Sequence, residues 1–331
     1  MILNFEQIKA MTQGAEKVTY DGDTYKFFRF TDKEEASAPD MLMKYTAGIS
    51  IEFKTDAKSV KLKVSVSDPA IVRTYFSFDI FKNSKLIGTI QNLPEEERVG
   101  NYTVIGCPLG TFEGEFMLGE GDGDVKILFP HSLIGELEEI ELVGATYAYP
   151  IKKDKLYIAI GDSITQGYDA LHPSAIYAYR IADMLSASYI NKAIAGAIFN
   201  PKLLAAAEEH NPDYVSVAYG TNDWCALDKD KLIKNATEFF DILVEKYPNA
   251  QISVISPVWR ADYNVITAVG EFSTVSEILK DICKKHKRLK FIEGFNLIPH
   301  EHEMYGDLWL HPSDEGFAHY FDGLAKEIFD I

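Results

Sequence analysis

The feature that most restricts the fold is a rhythm that begins near residue 155, where apolar runs of strand length alternate with helical stretches. The order is LYIAIG (156–161), helix-like SAIYAYRIADMLSA (174–187), YINKAIAG (189–196), a short helix after Pro201, YVSVAYG (214–220) and a helix over 229–246. ISVISP (252–257), a helix over about 272–287, LKFIEG (289–294) and a last helix over about 314–329 complete it. Repeated strand-helix units imply a parallel sheet covered by helices on both faces, with right-handed crossovers. In such sheets ligands bind beyond the carboxyl ends of the strands, so the loops that follow each apolar run are where chemistry is expected.

Residues before this point read differently. Short alternating or β-branched runs are predicted as strands over 17–20, 26–30, 49–54, 59–66, 74–81, 124–129 and 138–143, separated by Asp-Gly, Asn-Leu-Pro and Gly-rich turns. No amphipathic helix is expected there beyond the first few residues. The pattern predicts an all-β sandwich or jelly roll over 1–150, with the boundary near Pro150, and an α/β domain over 151–331. A chain of 331 residues is long enough for two hydrophobic cores.

Composition excludes several classes of function. Hydrophobic residues make up 47% and charged residues 25%, and no run approaches the ~20 apolar residues of a membrane span. A net charge of −17 without a basic stripe disfavours nucleic acid and anionic membranes as partners. The start MILNFEQIKAMTQGAEK has dispersed charges and no apolar core of a secretory signal, so a cytoplasmic location is expected. Cys107, Cys225 and Cys283 are odd in number and widely spaced, which fits free thiols better than a disulfide framework or a zinc site.

Four loops carry candidate chemistry. Ser163, in Gly161-Asp162-Ser163-Ile164-Thr165, follows the first apolar strand of the second domain. A serine is a weak nucleophile until an imidazole within hydrogen-bond reach takes its proton, and the best candidate is His311 in DLWLHPSDEGF, between the last strand and the last helix. Gly196 can bring a backbone N–H close to a substrate, and Asn222, in Gly220-Thr221-Asn222-Asp223, can offer a side-chain amide to a developing oxyanion. Serine, glycine, asparagine and histidine thus fall in order at strand ends on one rim.

GDSIT, the glycine of AIAGA, GTND and HPSDEG together resemble the SGNH (GDSL-type) hydrolase superfamily over residues 155–331. The resemblance implies a flavodoxin-like three-layer sheet and a nucleophilic Ser163 with His311 as base. It also implies an oxyanion hole of the Ser163 and Gly196 N–H groups with the Asn222 amide, and neither metal nor organic cofactor. The family carries an aspartate three residues before the histidine, where this chain has Leu308; the nearest acid, Asp307, lies four before. Asp307 is the favoured orienting acid, and a backbone carbonyl orienting a Ser-His dyad is the alternative.

Other residues read more blandly. Asp162 and Asp223 are expected to hold turns, and His210, His286 and His319 to be surface or cap residues. His300-Glu301-His302-Glu303 is not a His-Glu-x-x-His motif and reads as a solvated loop. Trp224, Trp309 and Tyr168 are the expected pocket-lining residues, with Asp169 a further candidate on the rim. The function expected is hydrolysis of a short acyl ester, acetyl above all, on a saccharide or other small molecule, with the β-domain packed over the pocket. A lysophospholipase or thioesterase, or a non-catalytic carbohydrate-binding protein, are the alternatives. The natural substrate and oligomeric state are not legible in the sequence.

Overall fold

The computed structural model describes residues 1–68, 70 and 73–329. The chain opens with α1 (Phe5–Met11), whose N-terminus is closed by a capping box of Asn4 and Gln7. Eleven strands follow among the described residues up to Pro150: β1 (Thr12–Gln13), β2 (Lys17–Tyr20), β3 (Tyr25–Phe28), β4 (Ser50–Thr55), β5 (Ser59–Ser67), β6 (Ser77–Lys82), β7 (Lys85–Gln91), β8 (Gly110–Met117), β9 (Gly123–Leu128), β10 (Ile134–Val143) and β11 (Ala148–Pro150). They form two antiparallel sheets, ordered β1-β4-β9-β6-β7, with β11 also paired to β4, and β2-β3-β10-β5-β8. Ile51, Phe53, Val125 and Ile127 of the first sheet share one buried cluster with Val60, Leu62, Ile140 and Leu142 of the second.

This half departs from the sequence reading in several places, the short strands β1 and β11 among them. A helix, α2 (Asp32–Ser37), interrupts it, capped by Thr31 and Glu34 in a second capping box. β7 and β8 were not among the expected strands. Each carries a glycine in its middle, Gly88 and Gly114, which breaks the β-branched run, and the Phe116 ring packs over both.

The second half contains five parallel strands, β12 (Lys155–Gly161), β13 (Ala187–Asn191), β14 (Tyr214–Ala218), β15 (Gln251–Ile255) and β16 (Leu289–Ile292), in the order β13-β12-β14-β15-β16. This 2-1-3-4-5 order is the flavodoxin-like arrangement, with its switch point between β12 and β14. β13 ends at Asn191, so 192–196, expected as the end of that strand, form a loop. The helices are α3 (Ser163–Gln166), α4 (Tyr177–Met184), α5 (Pro201–Ala206), α6 (Thr221–Ala226), α7 (Lys229–Lys246), α8 (Ser273–Cys283) and α9 (Asp314–Phe329).

Alternation along the strands sorts them into three layers. Ile158, Ile160, Val215 and Val254 pack with residues of α5, α7 and α8, while Tyr157, Ala159 and Ile255 pack with residues of α4 and α9.

Buried charges join the two halves. Arg29, fully buried after β3, donates to the Tyr45 (2.5 Å) and Leu42 (3.2 Å) carbonyls of its own half and to the Asn191 (2.8 Å) and Ala193 (2.9 Å) carbonyls at the end of β13. In return Lys192 donates to the Arg29 carbonyl (2.7 Å) and pairs with Glu16 (2.7 Å) and Glu34 (2.9 Å). His210, expected as a surface or cap residue, reaches Glu16 at 2.9 Å in the same cluster, because the sequence gives no sign that residues 16 and 210 meet.

Candidate active site

β12 runs apolar and buried to Gly161, where the Asp162 carboxylate accepts the Ile164 N–H (3.0 Å) and turns the chain into α3. Ser163 is therefore the first residue of a one-turn helix that Gly167 ends at φ +112°. Its Oγ lies 2.8 Å from His311 Nε2, and His311 Nδ1 lies 2.8 Å from Asp307 Oδ2. A proton on Nδ1 facing the carboxylate leaves the Nε2 lone pair to accept the serine hydroxyl, which is the arrangement that activates a serine.

The extra residue before the histidine is absorbed by the backbone. Leu308 adopts φ +58°, the left-handed region an L-residue seldom occupies. The bend folds the Asp307 side chain back so that Oδ1 accepts the N–H groups of Trp309 (2.9 Å), Leu310 (2.8 Å) and His311 (3.1 Å) while Oδ2 faces the imidazole. His302 Nδ1 donates to the Leu308 carbonyl (2.7 Å), and His300 Nε2 to that of Phe295 (2.9 Å). Both imidazoles of the His-Glu-His-Glu segment thus brace backbone, and Trp259 packs against both rings.

Burial alone would raise the Asp307 carboxyl, but the His311 hydrogen bond and charge, helped by the backbone N–H groups, hold it at about 2. Burial alone would lower the imidazole, but the Asp307 hydrogen bond and the charges of Asp169 and Asp307 outweigh it and raise His311 above the ordinary histidine value. Asp162 and Asp223 are pushed up by burial, to about 6 and about 7. Asp223 accepts the Phe199 N–H (3.1 Å) and ties the loop after β13 to α6.

Two further loops leave the carboxyl ends of the neighbouring strands β13 and β14. Gly196 sits at φ +77° with open space where a Cβ would project, and its N–H, like that of Ser163, makes no hydrogen bond among the described residues. The Gln166 side chain accepts the Ala195 N–H (2.9 Å) and donates to the His131 carbonyl (2.9 Å), so α3, the Gly196 loop and the antiparallel half are clamped together. One Asn222 amide N–H is donated to the Ala197 carbonyl (3.1 Å), which leaves the second for a ligand.

The aromatic candidates divide. Trp309 is 42% exposed beside His311, its ring over the Arg260 guanidinium (5.0 Å). Tyr168 is buried, its ring 5.7 Å from that of His311, so it underlies the imidazole rather than forming a rim. Trp224 is a correction: at 1% exposure it donates its indole N–H to the Gly270 carbonyl (3.0 Å) and packs on Phe272 in the core, because α6 turns it inward.

Sequence reasoning also missed residues. Arg260 donates to the Thr221 carbonyl (3.2 Å) and lies between Trp224 and Trp309, linking the asparagine and histidine loops. Arg73 and Tyr75 reach the site from the antiparallel half, and no local motif marks them.

Asp169, Asp307 and His311 also have one ligand atom each within 4.8 Å of one another, a grouping compatible with a cation. The donors are already committed, however. Asp307 holds three N–H groups and the imidazole, and Asp169 holds Arg73 and Tyr75, so a metal would have to displace a guanidinium.

The sheet order makes the second half a flavodoxin-like α/β unit, with a Ser163-His311-Asp307 cluster between the end of its first strand and the start of its last helix. Residues 159–319 match the GDSL-like lipase/acylhydrolase family, and this part of the chain belongs to the SGNH/GDSL superfamily. No curated protein sequence matches the chain. Among solved structures it is similar to the salicylyl-acyltransferase SsfX3 from a tetracycline biosynthetic pathway (18% identity, TM-score 0.79, covering 96% of this chain and 93% of that one). A putative GDSL-like lipase from Bacteroides ovatus (18%, TM-score 0.76, 100% and 98%) is also similar. So is the acetyl xylan esterase Est2A from Butyrivibrio proteoclasticus (14%, TM-score 0.64, 100% and 98%). At such identities the likeness is one of fold, and it extends over both halves of the chain.

Proposed function

We propose that the protein is a serine esterase that removes short acyl groups, acetyl above all, from a carbohydrate through an acyl-Ser163 intermediate. The observation that carries this reading is the unbroken line from Ser163 Oγ through His311 to Asp307, 2.8 Å at each step. His311 Nε2 takes the serine proton as Oγ attacks the ester carbonyl, and the tetrahedral oxyanion is met by the Ser163 and Gly196 N–H groups and the Asn222 amide. The imidazolium then protonates the departing alkoxide. Water repeats the sequence and releases the acid. Donors aimed at the oxyanion are each worth about 3 kcal/mol of barrier in comparable sites.

Support for a saccharide leaving group comes from the exposed Trp309 beside the histidine, a flat apolar face of the kind sugars stack on, and from a neighbour named as an acetyl xylan esterase. The apolar residue at position 308 favours a binding-only role, and Asp307 at 2.8 Å from Nδ1 favours catalysis. The test is turnover of p-nitrophenyl acetate, butyrate and octanoate, followed by acetylated xylo-oligosaccharides. Preference for acetate and acetate release from the oligosaccharide are expected, whereas preference for octanoate or no turnover of any ester would refute the reading.

A pH dependence follows. The base must be neutral to accept the serine proton, and its folded-state pKa is raised by Asp307 and Asp169. In a pH profile, kcat/KM is expected to fall on acidification with an apparent pKa above the ordinary histidine value of about 6.5. A limb at or below that value contradicts the assignment of His311.

A further inference from the structure

A second carboxylate stands beside the imidazole. Asp169 Oδ2 lies 3.5 Å from His311 Nδ1, the atom that Asp307 Oδ2 approaches at 2.8 Å, and the Asp169 side chain is completely buried. Its clamps all come from the antiparallel half. Arg73 Nε and Nη2 donate to Oδ1 (2.6 Å) and Oδ2 (3.2 Å), the Tyr75 hydroxyl donates to Oδ1 (2.7 Å), and the Tyr102 hydroxyl donates to the Asp169 carbonyl (2.5 Å). The backbone at Asp169 is held at φ +68°, a conformation that persists in a non-glycine residue only where the surroundings over-determine it. On the histidine loop, Gly306 permits the approach, since a Cβ there would stand 2.4 Å from the Tyr102 hydroxyl and 2.8 Å from Asp169 Cβ. This places a bidentate ion pair from one half of the chain against the base of the other.

We propose that Asp169 is a positioning residue for the reaction, a second carboxylate acceptor facing the His311 Nδ1–H, and that Arg73 of the antiparallel half fixes its orientation and offsets its charge. The proposal rests on the esterase reading, in which His311 is the base. The antiparallel half then belongs to the active site and is more than a cover over it. The charged and titratable groups around the imidazole are Asp307 on its own loop, Asp162, Tyr168 and Asp169 on the serine loop, and Arg73, Tyr75 and Tyr102 from the antiparallel half. Asp169 favours the imidazolium and Arg73 opposes it, so the two members of one ion pair act on His311 with opposite sign.

That opposition supplies a test that loss of packing cannot imitate. In pH profiles of p-nitrophenyl acetate hydrolysis, Asp169→Asn is expected to move the acid limb of kcat/KM down by about one pH unit. It should also lower kcat by about tenfold with KM within about twofold, because orientation of the base is lost while binding is kept. Arg73→Gln is expected to move the same limb up, and Arg73→Lys to restore the wild-type limb. Shifts of the same sign in Asp169→Asn and Arg73→Gln, or limbs that superimpose on wild type, would overturn the proposal. If Asp169→Asn does not fold, Arg73→Gln against Arg73→Lys carries the test alone, and an unmoved limb in Arg73→Gln overturns it. A Ser163→Ala control run alongside separates the two levels. Serine-independent turnover would overturn the esterase reading and this proposal with it, whereas serine-dependent turnover with unmoved limbs overturns the proposal alone.

Discussion

Ser163→Ala is expected to lower kcat for p-nitrophenyl acetate by about four to six orders of magnitude, the range seen when the nucleophile of a serine-histidine-aspartate set is removed. The loss should be nearly complete because the other members act only through the serine hydroxyl. Among the described residues His311 Nε2 has no partner besides the serine, and Asp307 acts on the reaction by way of the imidazole. The fold should not register the change. Ser163 begins a one-turn helix whose cap is the Asp162 side chain, and its hydroxyl makes one hydrogen bond, so unfolding free energy should stay within about 1.5 kcal/mol of wild type. Denaturant unfolding measured beside the kinetics checks both halves of this expectation. An inactive variant that is also unfolded would leave the serine without a demonstrated chemical role.

The largest expected effect on stability belongs to Arg29→Met. The guanidinium is fully buried and donates to four carbonyls, two in the antiparallel half and two at the end of β13. Methionine fills part of the apolar stem but removes the guanidinium from these carbonyls in a region closed to water, at about 1–3 kcal/mol for each that finds no replacement; the Leu42 carbonyl keeps the Tyr45 N–H (3.3 Å). Partial relaxation brings the expected total to about 3–5 kcal/mol. The loop that Arg29 holds at Asn191 and Ala193 leads to Gly196, so the contact between halves also fixes one of the proposed oxyanion donors. A denaturation midpoint equal to wild type would contradict the account of this interface.

The parallel half was legible because its signals are local. Apolar runs such as LYIAIG, short and alternating with helical stretches, read as strands buried on both faces, and the helices over 229–246 and 314–329 carry their own periodicity; their observed bounds are Lys229–Lys246 and Asp314–Phe329. Ser163, Gly196, Asn222 and His311 could be picked out because each follows such a signal. Asp307 was harder. Its side chain reaches the imidazole only because Leu308 takes a left-handed conformation, and nothing about a leucine announces that. Trp224 failed as a pocket residue because position next to a site loop does not decide which way a helix turns its side chain. Arg73 and Tyr75 lie more than ninety residues before the aspartate they hold, so no window of sequence contains the contact. In the antiparallel half, β7 and β8 were obscured by Gly88 and Gly114, whose missing side chains are covered by the Phe116 ring of β8. What sequence does not carry here is consistently the pairing of distant segments.

The measurement that bears most directly on the central claim is peptide mapping by mass spectrometry of the protein quenched with acid during turnover of p-nitrophenyl acetate. The account predicts one acetyl group on the peptide containing Ser163, absent from Ser163→Ala and accumulating in His311→Ala only to the extent that the serine still reacts. An acetyl group on another residue, or steady hydrolysis with no covalent intermediate on any peptide under conditions that trap it in a control serine esterase, would contradict it.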